Sequence, residues 1–261
     1  MPPSISVAES DYLYFLPLLI WNSENAIRYT RFDPKELARV ACNATGTRSC
    51  TLLTKLDGGK PSSSVRCSYF KNMLGSYNKA FRLTLDNSLT VIARLPCPVA
   101  GPSYLVTASE VATLEFAREV LNLPVPRVIT WSGEKRGHLN SVGADYIIME
   151  EVPGIKLDER WMKFDSADDV LPVMAGISDV EARFESLRFS RIGSLYFKED
   201  VSADLRAVSL FSGPVDATTC RLSEKYCVGP LINNQWWRGE RAHMALDRGP
   251  CKRFPYYTMF H

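Results

Sequence analysis

The stretch that decides the fold is NKAFRLTLDNSLTVIARLP, residues 78–96. Phe81, Leu83 and Leu85 alternate with Ala80, Arg82 and Thr84, the two-residue period of a strand that buries one face. Asp86-Asn87-Ser88 bring turn chemistry, because short polar side chains hydrogen-bond nearby backbone. A second apolar run follows from Leu89 to Leu95, so the stretch predicts an antiparallel hairpin.

The flanks extend the pattern on both sides. Upstream, RFDPKELARVACNATG (31–46) reads as a helix: Asp33 caps it, Pro34 suits its first position, Leu37, Val40, Ala41 and Ala44 share a face, and Gly46 suits a left-handed end. CTLLTKL (50–56) reads as a strand. Downstream, TASEVATLEFAREVLNLPVP (107–126) predicts a second helix, with Thr107 and Glu110 as a capping box and Pro124 and Pro126 beyond its end. RVITW (127–131) and DYIIME (145–150) predict two more strands, and residues 165–189 a further helix. From about Gly193 the sequence becomes rich in loops. The order predicts an α+β protein with a sheet-bearing part over 1–152 and a helical part over 153–261.

Composition narrows the function classes. The 261 residues are 46% apolar and 23% charged, ordinary for a chain that buries a core. Lysine and arginine number 31 against 29 acidic residues, so nothing points to nucleic acid as a partner. Seven cysteines form no Cys-x-x-Cys pair, which fits free thiols of a reducing compartment better than zinc or a redox dithiol. YLYFLPLLIW (12–21) is too short for the roughly 20 residues of a spanning helix. No Lys or Arg precedes it, and Glu9 and Asp11 do. It therefore reads as neither a signal, a membrane anchor nor a mitochondrial presequence, and the expected location is the cytoplasm.

Two phosphate-binding motifs fail. DGGKPSSS (57–64) lacks the Walker A spacing: Leu53 and Thr54 stand five residues before Gly58 and Gly59, and Pro61 removes a backbone donor after Lys60. No Gly-x-Gly-x-x-Gly is present. A third geometry remains, strand, glycine turn and strand, which kinase-like proteins fold over nucleotide phosphates.

On that hairpin the sequence resembles the fungal aminoglycoside phosphotransferase-like proteins of kinase fold. YNKAFRLTL, VIARLP, TASEVATLEFAREVLNLPVPRVITW and GADYIIMEEVPG carry the resemblance. LIWNSE, RFDPKELARVA, FSRIGSLYF, CVGP and WWRGERAHMALDRGP extend it over nearly the whole chain in the family's order. It implies a five-stranded antiparallel lobe with one main helix over 1–152 and an incomplete helical lobe over 153–261. It also marks Lys60–Leu74 as an expected insertion in a short glycine turn.

The resemblance further implies a site for ATP with magnesium and a small-molecule hydroxyl as acceptor. Gly75, Ser76 and Asn78 would approach the phosphates, unless the turn is a plain hairpin in a lobe that binds no nucleotide. Arg94 stands where such folds carry a phosphate-pairing lysine, with Glu110 as its partner; the other reading leaves Glu110 in the capping box and Arg94 solvated. Met149 would line an adenine pocket, and the backbone of Glu150 to Val152 would meet the base edge. Read alone, a Tyr-Ile-Ile-Met strand is more often core than cofactor pocket, and only the resemblance raises the second reading.

The catalytic parts of the family pattern are missing. His138, His243 and His261 each fail to begin His-x-Asp, and Asp247-Arg248-Gly249 stands without a preceding catalytic loop, so Asp247 reads as structural. The chain is thus expected to stop short of the catalytic loop and the magnesium-binding Asp and to be inactive in phosphoryl transfer. The alternative is a non-catalytic nucleotide-binding or interaction protein. The resemblance brings mitochondria as the alternative location. A Ser or Cys nucleophile finds no Gly-x-Ser-x-Gly elbow.

Overall fold

The computed structural model describes residues 30–56, 77–133, 140–155, 157–161 and 163–252. The expected insertion, Gly75, Ser76, His138 and His261 lie outside the described residues. The chain is α+β and divides into two compact units. The first draws on Met1–Val111, Val128–Glu150 and Ile232–Asp247, the second on Ala112–Arg127, Glu151–Leu231 and Arg248–His261.

The first unit is built on α1 (Pro34–Thr45), β1 (Cys50–Leu56), β2 (Asn78–Leu85), β3 (Thr90–Pro96), the first half of α2 (Ser103–Glu119), β4 (Val128–Trp131) and β5 (Ile147–Glu150). The strands make one sheet in the order β1-β2-β3-β5-β4, and every neighbouring pair is antiparallel. The β2–β3 hairpin has the expected register, with Phe81 opposite Ala93 and Thr84 opposite Thr90. Its turn is closed by Asn87, whose Oδ1 accepts from the Leu89 N–H at 2.9 Å. The Asp86 carboxylate accepts instead from the Arg48 and Ser49 N–H groups, at 3.0 and 3.1 Å, and so ties the turn to the loop before β1.

Period-two burial selects the core. Phe81, Leu83, Leu85, Val91, Ala93 and Leu95 are buried on one face of the hairpin with Leu37, Ala38, Ala41 and Cys42 of α1. The face of α1 is rotated from the expected one: Ala38 and Cys42 are buried, whereas Val40 is only partly buried and Ala44 is exposed. Asp33 caps this helix as expected, accepting from the Lys35 and Glu36 N–H groups at 2.8 and 3.2 Å, and Gly46 ends it at φ 70°.

The predicted capping box at Thr107 and Glu110 is not formed. The second helix starts one turn earlier, at Ser103, directly after Pro102. Thr107 is buried in its interior, and its hydroxyl donates back to the Ser103 carbonyl at 2.7 Å. Glu110 is therefore left facing the sheet.

The second unit carries the rest of α2, α3 (Leu157–Trp161), α4 (Ala167–Glu185), β6 (Ser194–Phe197), α5 (Ala203–Arg206), α6 (Ala217–Ser223) and β7 (Tyr226–Gly229). Strands β6 and β7 pair antiparallel, a two-stranded sheet where the sequence pattern predicted loops. Its core is aromatic: the Phe116 ring meets Tyr226 edge-on at 5.2 Å, and Phe197 stacks on Tyr226 at 5.3 Å. Gly193 and Gly229 are required by close packing, because a Cβ on Gly193 would lie 2.3 Å from the Gly229 carbonyl oxygen and one on Gly229 2.6 Å from the Tyr196 ring.

Candidate functional site

The hairpin that buries Phe81 and Ala93 on one face presents Arg94 on the other. In register, Arg94 lies opposite Ala80 on β2 and Ile147 on β5, and Ile92 lies opposite Met149, so these side chains share a face. Asn78, opposite Pro96, stands on that same face two positions along β2 from Ala80. From α2, Glu110 forms an ion pair with Arg94 Nη1.

The pair is neither sealed nor freely solvated: the side chains are 34% exposed for Arg94 and 21% for Glu110. Burial pushes the Glu110 carboxyl above its ordinary range, and the guanidinium beside it pulls it back only in part. A guanidinium carries five N–H donors in a planar fork, more than one carboxylate can take up. The arrangement can therefore hold an anion against a cation whose direction is already fixed.

The sequence-derived residues fall into three groups. Asn78, Arg94, Glu110 and Met149 are brought to one side of the first unit. Met149 is 4% exposed, so its side chain is largely enclosed. Glu150 ends β5 opposite Val91 and is partly buried. Val152 belongs to the second unit, and its side chain is 55% exposed. Gly75 and Ser76 lie outside the described residues.

Sequence reasoning passed over Ile92 and Asp145. Ile92 shares the face of Met149, a fact legible from its two-residue offset to Arg94. Asp145 accepts hydrogen bonds from the hydroxyls of Ser103, the first residue of α2, and Ser132, the latter at 2.9 Å. No local pattern links residues so far apart. Elsewhere in this unit, Arg31, Asp33, Lys35 and Ser141 line an open depression of about 530 Å³ beside the start of α1, and none of its lining residues is a residue of the Arg94 face.

Among the described residues no group of three or more His, Cys, Asp or Glu side chains stands where it could hold a metal ion. No helix of the described residues is long and apolar enough to cross a membrane.

Comparison with known proteins gives relatives and no fold template. A subtelomeric hrmA-associated cluster protein of Aspergillus fumigatus is 39% identical over 184 residues, which is 70% of this chain and 33% of that protein. The mitochondrial protein altered inheritance of mitochondria protein 9 of Candida tropicalis is 28% identical over 169 residues, 62% of this chain and 26% of the relative. Its namesake in Meyerozyma guilliermondii is 24% identical over 220 residues, 82% and 35%. The chain thus spans about a third of the length of the curated relatives it matches, or less. No family model matches the sequence, and no solved structure does.

Proposed function

We propose that the first unit grips the phosphates of ATP on the Arg94 face of its sheet, in an aminoglycoside phosphotransferase-like protein of kinase-like fold whose reaction class is phosphoryl transfer to a small-molecule hydroxyl. The observation that carries this reading is the ion pair between Arg94 of β3 and Glu110 of the helix that follows it. In kinase-like folds a strand cation and a helix glutamate must both be in place to hold the nucleotide's α and β phosphates. Asn78, on the same face at the first residue of β2, adds an amide donor for a phosphate oxygen. Ile92, partly exposed on the same face beside the enclosed Met149, supplies apolar surface for a base.

The residues present fit phosphates and do not fit magnesium. That ion takes carboxylate oxygens and waters, and no group of three or more acidic, histidine or cysteine side chains stands among the described residues to hold it. A second reading keeps the same site in a protein that binds nucleotide without transferring phosphate; it is favoured by the absence of His-x-Asp at all three histidines. The relatives named as mitochondrial support mitochondria over the cytoplasm as the location, which subcellular fractionation of the tagged chain tests.

Isothermal titration of the full chain with MgATP tests the binding reading. Saturable heat is expected below about 1 mM, and Arg94→Met should weaken it about tenfold with the circular dichroism spectrum unchanged. Absence of heat from the unaltered chain at millimolar ATP rejects both nucleotide readings. Given binding, transfer of labelled phosphate to a panel of small hydroxyl acceptors separates the two.

A further inference from the structure

Resting on the phosphate-binding reading of Arg94, we infer that Asp145 is the positioning residue of this site: its carboxylate fixes where α2 begins against the sheet, and so fixes where Glu110 meets Arg94.

The connections form a closed ring. Asp145 accepts from the hydroxyl of Ser103, the first residue of α2. It also accepts at 2.9 Å from the hydroxyl of Ser132, which is buried. Ser132 is itself locked to the base of β5: its N–H donates to the Tyr146 carbonyl at 3.0 Å, and its Oγ accepts from the Tyr146 N–H at 2.9 Å. The next residue, Ile147, pairs directly with Arg94 in the sheet. From Ser103 the helix runs two turns to Glu110, about 10 Å along a rigid rod, and Glu110 closes the ring on Arg94. A shift at the Ser103 end passes undiminished to Glu110, because an α-helix compresses little between them.

The loop around Asp145 is fitted for this. Asn140 accepts from the Gly143 N–H at 3.0 Å and donates to the Ala144 carbonyl at 3.0 Å, so the segment leading into Asp145 is held by its own side chain. A carboxylate has the two acceptor oxygens that two serine hydroxyls require. Its negative charge at the first turn of α2 suits the helix dipole as well.

Asp145 touches neither Arg94 nor Glu110 in this ring, so its effect is read through them. In MgATP titrations of the full chain, Asp145→Ala should weaken binding about tenfold, while Asp145→Asn, which keeps an acceptor and a group able to bond the second serine, should stay within about threefold. Once Asp145→Ala is present, adding Glu110→Gln should cost little more, since the pair it breaks is already misplaced. Full, independent losses from the two substitutions overturn the inference, as does equal weakening by the Ala and Asn variants. If the unaltered chain binds no MgATP, the phosphate reading fails alone, and the inference is decided by unfolding. The coupling between Arg94→Met and Glu110→Gln in urea midpoints is expected in the chain with Asp145 or with Asp145→Asn, and is expected to vanish with Asp145→Ala. Coupling that persists with Asp145→Ala overturns it.

Discussion

At the scale of single residues, the site trades stability for orientation. Glu110 stands where burial disfavours its charge more than Arg94 favours it, so its folded carboxyl binds a proton more tightly than the unfolded chain's. The linkage sign follows: the group contributes stability that is fully present below the ordinary carboxylate value of 4.5 and is lost as pH rises through the raised folded value. Glu110→Gln should therefore become steadily more stable relative to the unaltered chain as pH is raised above 4.5, read from urea midpoints at a series of pH values. A stability of Glu110→Gln that falls relative to the unaltered chain as pH rises contradicts this. Gly229 is held instead by packing. An added methyl would lie 2.6 Å from the fully buried Tyr196 ring, so Gly229→Ala should cost about 2 kcal/mol or more in chemical denaturation.

At the scale of elements, α1 and α2 differ in what fixes them. α1 is bound at its first turn: Asp33 receives two backbone N–H groups, and its own N–H donates to the Val142 carbonyl at 2.7 Å. Asp33→Ala should cost about 1 kcal/mol, and Asp33→Asn much less, since the amide oxygen still accepts. The later part of α2 is held through charge. Lys225 donates to Glu115 at 3.1 Å and lies 2.9 Å from Glu119, two carboxylates one turn apart on the helix. Burial lowers the Lys225 pKa, but the hydrogen bonds to the two carboxylates outweigh it and hold the ammonium charged. Lys225→Met should leave like charges facing each other and cost about 1 kcal/mol, with the loss shrinking in high salt because the pair is half-exposed. An effect that grows with salt contradicts the electrostatic account.

At the scale of the whole molecule, each unit has its own core, and protection against hydrogen exchange should follow those cores. The slowest amides are expected in β2, β3 and β5 of the first unit and in β6 and β7 of the second. Among the helices of more than ten residues, the fastest amides are expected in α4, which buries none of its 19 residues. Mass spectrometry of peptides from a timed exchange checks the order; protection of α4 equal to that of β3 contradicts it. What could be read from the sequence alone was the local grammar: the alternation of Phe81, Leu83 and Leu85, the Asp33 cap, and a cation on the second hairpin strand are set by neighbours within a few residues. The rotated face of α1, the early start of α2 and the strands β6 and β7 escaped that reading, because each depends on a surface supplied from elsewhere in the chain. Glu110 shows the division most plainly. Locally it completes a capping motif with Thr107; in the folded unit the helix begins at Ser103, Thr107 turns inward, and the carboxylate meets Arg94 instead. Spacing along the chain determined which residues could serve as partners, and only the packed sheet, helix and Asp145 loop decided which partners met, since an ion pair forms by distance in space and not by distance in sequence.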